Sequence, residues 1–139
     1  IEGKKNEQTE EILGYKLAEL HKCYGRMHGF ETDTYIGFLP QPNDLNPNWL
    51  EYYRDKRLGS QLQIGIENGH ITDKRRIQME KLLERLDKWI PSFVEPSHLH
   101  GDFYSGNWIV GPGGEPFIVD PSFLYGDRHF AKHIKKVIL

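Results

Sequence analysis

"HGDFYSGNWIVGPGGEPFIVD", residues 100–120, sets an Asp at 102, an Asn at 107 and a second Asp at 120 around two short β-rich runs. The runs Trp108-Ile109-Val110 and Phe117-Ile118-Val119 flank "GPGGEP", and together they read as a β-hairpin. With Gly113-Gly114 as a two-residue turn, Val110 faces Phe117 and Asn107 faces Asp120. Directly opposed residues have Cα atoms about 4.5–5.5 Å apart. Side chains alternate along a strand, so Asn107 and Asp120 are expected on one face. Trp108, Val110, Phe117 and Val119 are expected on the other, buried face. A longer loop shifts this register but leaves both polar residues at the open end of the hairpin.

Asp102 arrives at the same end, so two carboxylates and one amide converge. Hard divalent cations take oxygen ligands, and Mg²⁺ commonly takes one or two protein carboxylates plus substrate phosphates. Phosphoryl transfer asks for an Asp near the acceptor hydroxyl, and for an Asn and an Asp on the metals that neutralise the phosphate oxygens. Asp102, Asn107 and Asp120 match those three roles. The competing reading is a capped turn, with Asp102 and Asn107 holding backbone and Asp120 opening the turn made by Pro121. Each residue alone fits that reading, whereas the joint spacing favours phosphoryl transfer. His100 reads as a structural hydrogen-bonding group rather than a base.

Upstream the texture is helical. Residues 9–23 carry Ile12, Leu13, Leu17 and Leu20 on one face, with Thr9 as the expected cap. Residues 49–68 form a second helix, with Trp49, Tyr52, Tyr53, Leu58, Leu62 and Ile66 facing inward. Asn48 stands at its start and Gly69 at its end. Residues 73–90 form a third, with a core stripe of Ile77, Leu82, Leu83, Leu86 and Ile90, capped by Thr72 or Asp73 and stopped by Pro91. Pro40, Pro42 and Pro47 exclude a regular helix over residues 30–48, which reads as an irregular loop.

The bulk numbers exclude several classes. The chain has 139 residues, 37% hydrophobic and 27% charged, as expected of a globular domain or part of one. A net charge of -2 leaves no basic footprint for nucleic acid. The basic runs at residues 74–76 and 132–136 read as solvated helix faces. No apolar run approaches the ~18 residues of a membrane span, so no membrane partner is expected. The one cysteine, Cys23, cannot form an internal disulfide; it suits a cytoplasmic setting and reads as a packing residue within the first helix. His98 and His100 lack a third ligand at zinc spacing.

At "LHGDFYSGNWIVGPGGEPFIVDPSFLYGDR", residues 99–128, the sequence resembles the fructosamine kinase (ketosamine-3-kinase) family. That family lies within the aminoglycoside phosphotransferase and choline kinase-like group, which has the protein-kinase-like fold. "DTYIGFLPQPN" (33–43), "LGYKLAELH" (13–21) and "YYRDKRLGSQL" (52–62) are also similar to family segments. The resemblance implies an α+β fold, mainly helical, corresponding to the C-terminal lobe of a protein-kinase-like fold with its catalytic loop and hairpin. It implies ATP-dependent phosphorylation of a ketosamine sugar hydroxyl, with ATP and Mg²⁺ as cofactors. By position, Asp102 would be catalytic, and Asn107 and Asp120 would be metal ligands.

Where the family usually has Leu-Trp after HGD, this chain has Phe103-Tyr104. After "YGDR" it has "HFAKHIKKVIL" in place of an acidic residue and a helix with a further Asp. No segment before Thr9 resembles the β-sheet with a phosphate-covering loop and strand lysine on which nucleotide phosphates rest. Residues 1–139 are therefore expected to be a partial C-terminal lobe, without an N-terminal nucleotide lobe and inactive alone. Cofactor-binding residues are left unassigned. Two alternatives stand beside this reading: another small-molecule phosphotransferase, acting on an aminoglycoside or a choline-like alcohol, and a non-catalytic module that self-associates through exposed apolar surface.

Overall fold

The structure, a computed structural model, describes residues 3–130. The basic run at 132–136 and most of the altered tail lie outside the described residues. The chain is α+β, with four α-helices and three two-stranded antiparallel sheets among the described residues. It divides into two compact units, one holding residues up to Gly25 and from Glu95 onward, the other spanning Arg26–Val94.

The first unit is built on helix α1, Thr9–Leu20. Leu13 and Leu17 fall four residues apart and are buried. Leu13 joins Trp108 and Val110 in a core cluster, against which Phe103 packs. The helix ends at Leu20, short of Cys23, because residues 23–25 take up sheet-like bonds. His98 donates its amide to Cys23 O, Gly25 donates to Pro96 O, and Tyr24 bridges Ser97. Cys23 is thus outside the helix and exposed, contrary to its expected packing role. Thr9 does not cap the helix either. It is fully buried, and its hydroxyl lies 2.8 Å from Gly114 O.

Strand β3, Ser97–Leu99, pairs with β6, Leu124–Gly126, and β4, Trp108–Val110, pairs with β5, Pro116–Ile118. In the second pair Trp108 faces Ile118 and Val110 faces Pro116. This register is one residue off the expected one. The turn is a three-residue 3₁₀ loop, Pro112–Gly114, with Gly113 at φ 73° and Gly114 at φ 85°. One residue of slip exchanges the faces of one strand. Phe117, expected inside, is therefore exposed, and Pro116 is buried in its place.

In the second unit the expected long helix runs as α2 (Trp49–Tyr52), a π-helical stretch (Tyr53–Gly59) and α3 (Ser60–Glu67). Asn48 caps it by accepting the Glu51 amide, and Gly69 follows it at φ 70°. Trp49 and Tyr52 are each 1% exposed. An aromatic side chain so enclosed stabilises by about 1.5–3 kcal/mol. Helix α4, Asp73–Glu84, is capped by Thr72 and followed by a 3₁₀ turn, Leu86–Lys88. Its stripe is not core: Ile77 and Leu82 are exposed, and only Leu86, in the 3₁₀ turn, is buried. The proline-rich segment is also not wholly irregular. It contains a hairpin of β1 (Thr34–Ile36) and β2 (Leu39–Gln41), in which Gly37 at φ 58° supplies the tight turn.

Candidate active site

The loop after β3 is shaped by one glycine. Gly101 has φ 82°, and a Cβ there would lie 1.7 Å from Ser122 O, so the chain carrying Asp102 runs against the chain just past Asp120. His100 ties the same two segments. It is 2% exposed, and its Nε2 lies 2.8 Å from Val119 O, the direction in which an Nε2–H donates. This is the structural role expected for His100. The buried Nδ1 has no partner among the described residues.

Asn107 closes the loop. Its amide donates to Tyr104 O at 3.0 Å, and its carbonyl accepts the Val119 amide at 3.0 Å. Its side-chain Nδ2 donates to Asp102 O at 2.7 Å and to the Asp102 carboxylate at 3.1 Å. Asn107 is therefore opposite Val119, not Asp120, as the three-residue turn requires. Asp120 follows directly, exposed and at φ 51°, a left-handed conformation that Asp tolerates better than most residues. The structure thus joins Asp102 to Asn107 by a side-chain hydrogen bond and ties Asn107 by backbone to the residue before Asp120.

Asn107 and Asp120 carry oxygen donors of the kind a hard cation takes. Asn107 is buried and spends its NH₂ on Asp102, which leaves Oδ1 as an acceptor with no partner among the described residues. Together with the exposed Asp120 carboxylate it offers only oxygens, the chemistry Mg²⁺ takes. Among the described residues no group of three His, Cys, Asp or Glu side chains could hold a metal ion.

Other side chains shape the rim. Phe103 turns inward to the core cluster, while Tyr104 is exposed, its ring lying against Gly106, where a Cβ would come within 2.6 Å of it. The far end of the hairpin is held by residues that sequence reasoning passed over. Gly3 donates its amide to Val110 O, Asn6 Nδ2 donates to Gly113 O, and Lys5 Nζ sits 4.4 Å from the Trp108 ring centre. Thr9 before an apolar stripe gave a helix-start signal, but nothing in the pattern pointed to a turn a hundred residues away.

Solved structures place this arrangement within a known fold. A crystal structure from Thermobifida fusca, of a protein provisionally named fructosamine-3-kinase, superposes with a TM-score of 0.81 at 28% identity, over 92% of this chain and 44% of that one. Sequence comparison narrows this. The family model described as "Fructosamine kinase" matches residues 1–136, and the chain belongs to that family. The chain is 36% identical over 129 residues to the Arabidopsis thaliana "Protein-ribulosamine 3-kinase, chloroplastic", covering 89% of this chain and 38% of that protein. It is also 36% identical over 118 residues to the Escherichia coli K12 "Probable ketoamine kinase YniA", covering 84% of this chain and 40% of that protein. The chain therefore spans about two fifths of the length of these relatives.

Proposed function

We propose that this chain supplies the acceptor and metal side of an ATP-dependent phosphotransferase acting on a sugar hydroxyl of a ketosamine. The observation that carries the proposal is the hydrogen bond from Asn107 Nδ2 to the Asp102 carboxylate, in a loop stitched to the residue before Asp120. Asp102 accepts the proton of the acceptor hydroxyl, and Asn107 holds that carboxylate in place. Asn107 Oδ1 and the Asp120 carboxylate would hold Mg²⁺, which neutralises charge on the transferring phosphoryl group. Tyr104, at the family's usual Trp position, presents an exposed ring beside this loop on which a sugar can stack.

The names of the relatives, protein-ribulosamine 3-kinase and ketoamine kinase, support the acceptor class. Aminoglycoside or choline-like acceptors are the outcome to test against it. The exposed thiol of Cys23 suits a reducing compartment such as the cytoplasm. Among the described residues no helix is long and apolar enough to cross a membrane.

Neither Lys4 nor Lys5 lies on a strand, and Lys5 is engaged with Glu10 and Trp108. We therefore expect residues 1–139 alone not to turn over ATP, as the absence of ketosamine-dependent ADP release would confirm. In the intact protein, Asp102→Asn should lower transfer to a ketosamine by about 10²–10⁴-fold while leaving the melting temperature close to wild type. Full activity of that variant would overturn the assignment. A second reading, self-association of 1–139, is favoured by the exposed side chains of Phe38, Trp89 and Phe93. A clean monomer by light scattering would remove it.

A further inference from the structure

The second unit contains a half-buried cation that the transfer chemistry does not use. Arg57 lies in the π-helical stretch, a distortion that recurs at functional sites. Its Nη1 donates to Pro42 O at 2.9 Å and Lys56 O at 3.2 Å, and its Nη2 donates to Asn43 Oδ1 at 2.6 Å. The Tyr52 ring backs the guanidinium at 5.0 Å. All of these partners are neutral. Tyr52 is no counter-charge, since burial pushes its phenol up to about 12; it stays protonated and donates to Asn43 Oδ1 at 2.5 Å.

The neighbouring carboxylates are otherwise engaged. Asp44 pairs with Lys56, and Asp55 with Arg54. Asp33 accepts the Asn43 amide and lies beyond ion-pair distance of Arg57, although its charge favours the guanidinium. Burial works the other way and pulls the Arg57 pKa down. Of the five N–H donors of an arginine, three make these bonds, and the Tyr52 phenol also lies within bonding reach of the guanidinium, so at least one N–H stays open to a ligand.

A guanidinium withdrawn from water and given only neutral acceptors is costly unless an anion completes it. We propose that Arg57 is an anion-binding residue, taking a carboxylate or phosphate oxygen on the guanidinium N–H that these contacts leave open, at the surface formed by residues 42–57. The Asn43, Pro42 and Tyr52 contacts fix the plane of the guanidinium before the ligand arrives, which lowers the ordering cost of binding. The site goes beyond the transfer reaction and stands or falls without it.

The test is NMR on residues 1–139, following the Arg57 side-chain Nε–H while inorganic phosphate or succinate is added at constant ionic strength. The expected result is a saturable shift of that resonance. Saturation by both anions assigns the shared oxyanion chemistry, and saturation by phosphate alone assigns a phosphoryl ligand. Arg57→Lys keeps the charge but loses the fork, and should weaken binding by about tenfold or more. No saturable shift at Arg57 with either anion, or an equal shift produced by chloride, overturns the proposal without bearing on Asp102. Because Arg57→Lys also touches the Asn43 contacts, the wild-type titration is decisive should that variant fold poorly.

Discussion

The two glycine-turned hairpins of this chain both place their polar chemistry at the open end, and they differ at the turn. In β4–β5 the turn is tied down, by Asn6, Thr9 and Gly3, and the open end carries Asn107 and leads to Asp120. In β1–β2 the open end is tied down, by Asn43 on Thr32, Thr34, Tyr52 and Arg57, and the tip is bare, with Phe38 fully exposed. Both are three-residue strand pairs, too short to be stable alone. Bonds to Asp102, Tyr104 and Val119 hold the open end of β4–β5 as well, so what differs is the turn, held in one hairpin and bare in the other. An end held by directional bonds can present precise chemistry, and an end held by nothing can only present surface.

The sharpest way to break this comparison is to remove the proton acceptor at the ordered end. Asp102→Asn in the intact protein should lower turnover by about 10²–10⁴-fold with little change in stability; an assay of phosphate transfer beside a thermal melt separates the two. Next in size is Gly101→Val. The positive φ and the 1.7 Å approach to Ser122 O forbid a side chain, so a loss of about 2–4 kcal/mol is expected in urea unfolding. On the second hairpin, Asn43→Ala strips partners from Tyr52 and from a buried guanidinium, and should cost about 3 kcal/mol. The bare tip sets the lower bound: Phe38→Ser should stay within about 0.5 kcal/mol of wild type.

Acid should act on the first unit through two histidines. Burial lowers the pKa of His21, with the charges of Arg128 and His98 adding to it, and burial lowers that of His98, whose ring packs on Phe123 and Tyr125. The folded state therefore refuses protons that the unfolded chain takes up below about pH 6.5. Stability should be flat above that pH, fall as pH drops from there towards the folded values, level off below them, and fall less steeply in His98→Gln. A urea midpoint followed from about pH 8 to about pH 5 reads it out.

The comparison also marks how far the sequence reaches. Periodicity placed the first two helices, and cap chemistry marked Asn48, Thr72 and Gly69, because those signals are local. The convergence of Asp102 with Asn107 was legible because a short loop leaves few places for them to go. The register of β4–β5 was not, since "GPGGEP" supports two-residue and three-residue turns, and a single residue decides which face Phe117 takes. The stripe of α4 read as core because periodicity reports amphipathicity, not the presence of a covering surface. Thr9 read as a cap because a hydroxyl before a helix has two uses, and only the fold brings Gly114 O within reach. The Asn43 lock was hidden in a proline-rich loop whose bonds run to residues 9 to 14 positions away.

The most direct test of the central claim is to add Mn²⁺, as a paramagnetic stand-in for Mg²⁺, to isotopically labelled residues 1–139 and follow the backbone amides. If Asn107 and Asp120 form one oxygen-ligand site beside Asp102, the amides of residues 102, 107 and 120 should broaden together and first. Asn107→Ala and Asp120→Asn should each abolish that broadening. Broadening centred elsewhere, or unchanged in both variants, would contradict the account.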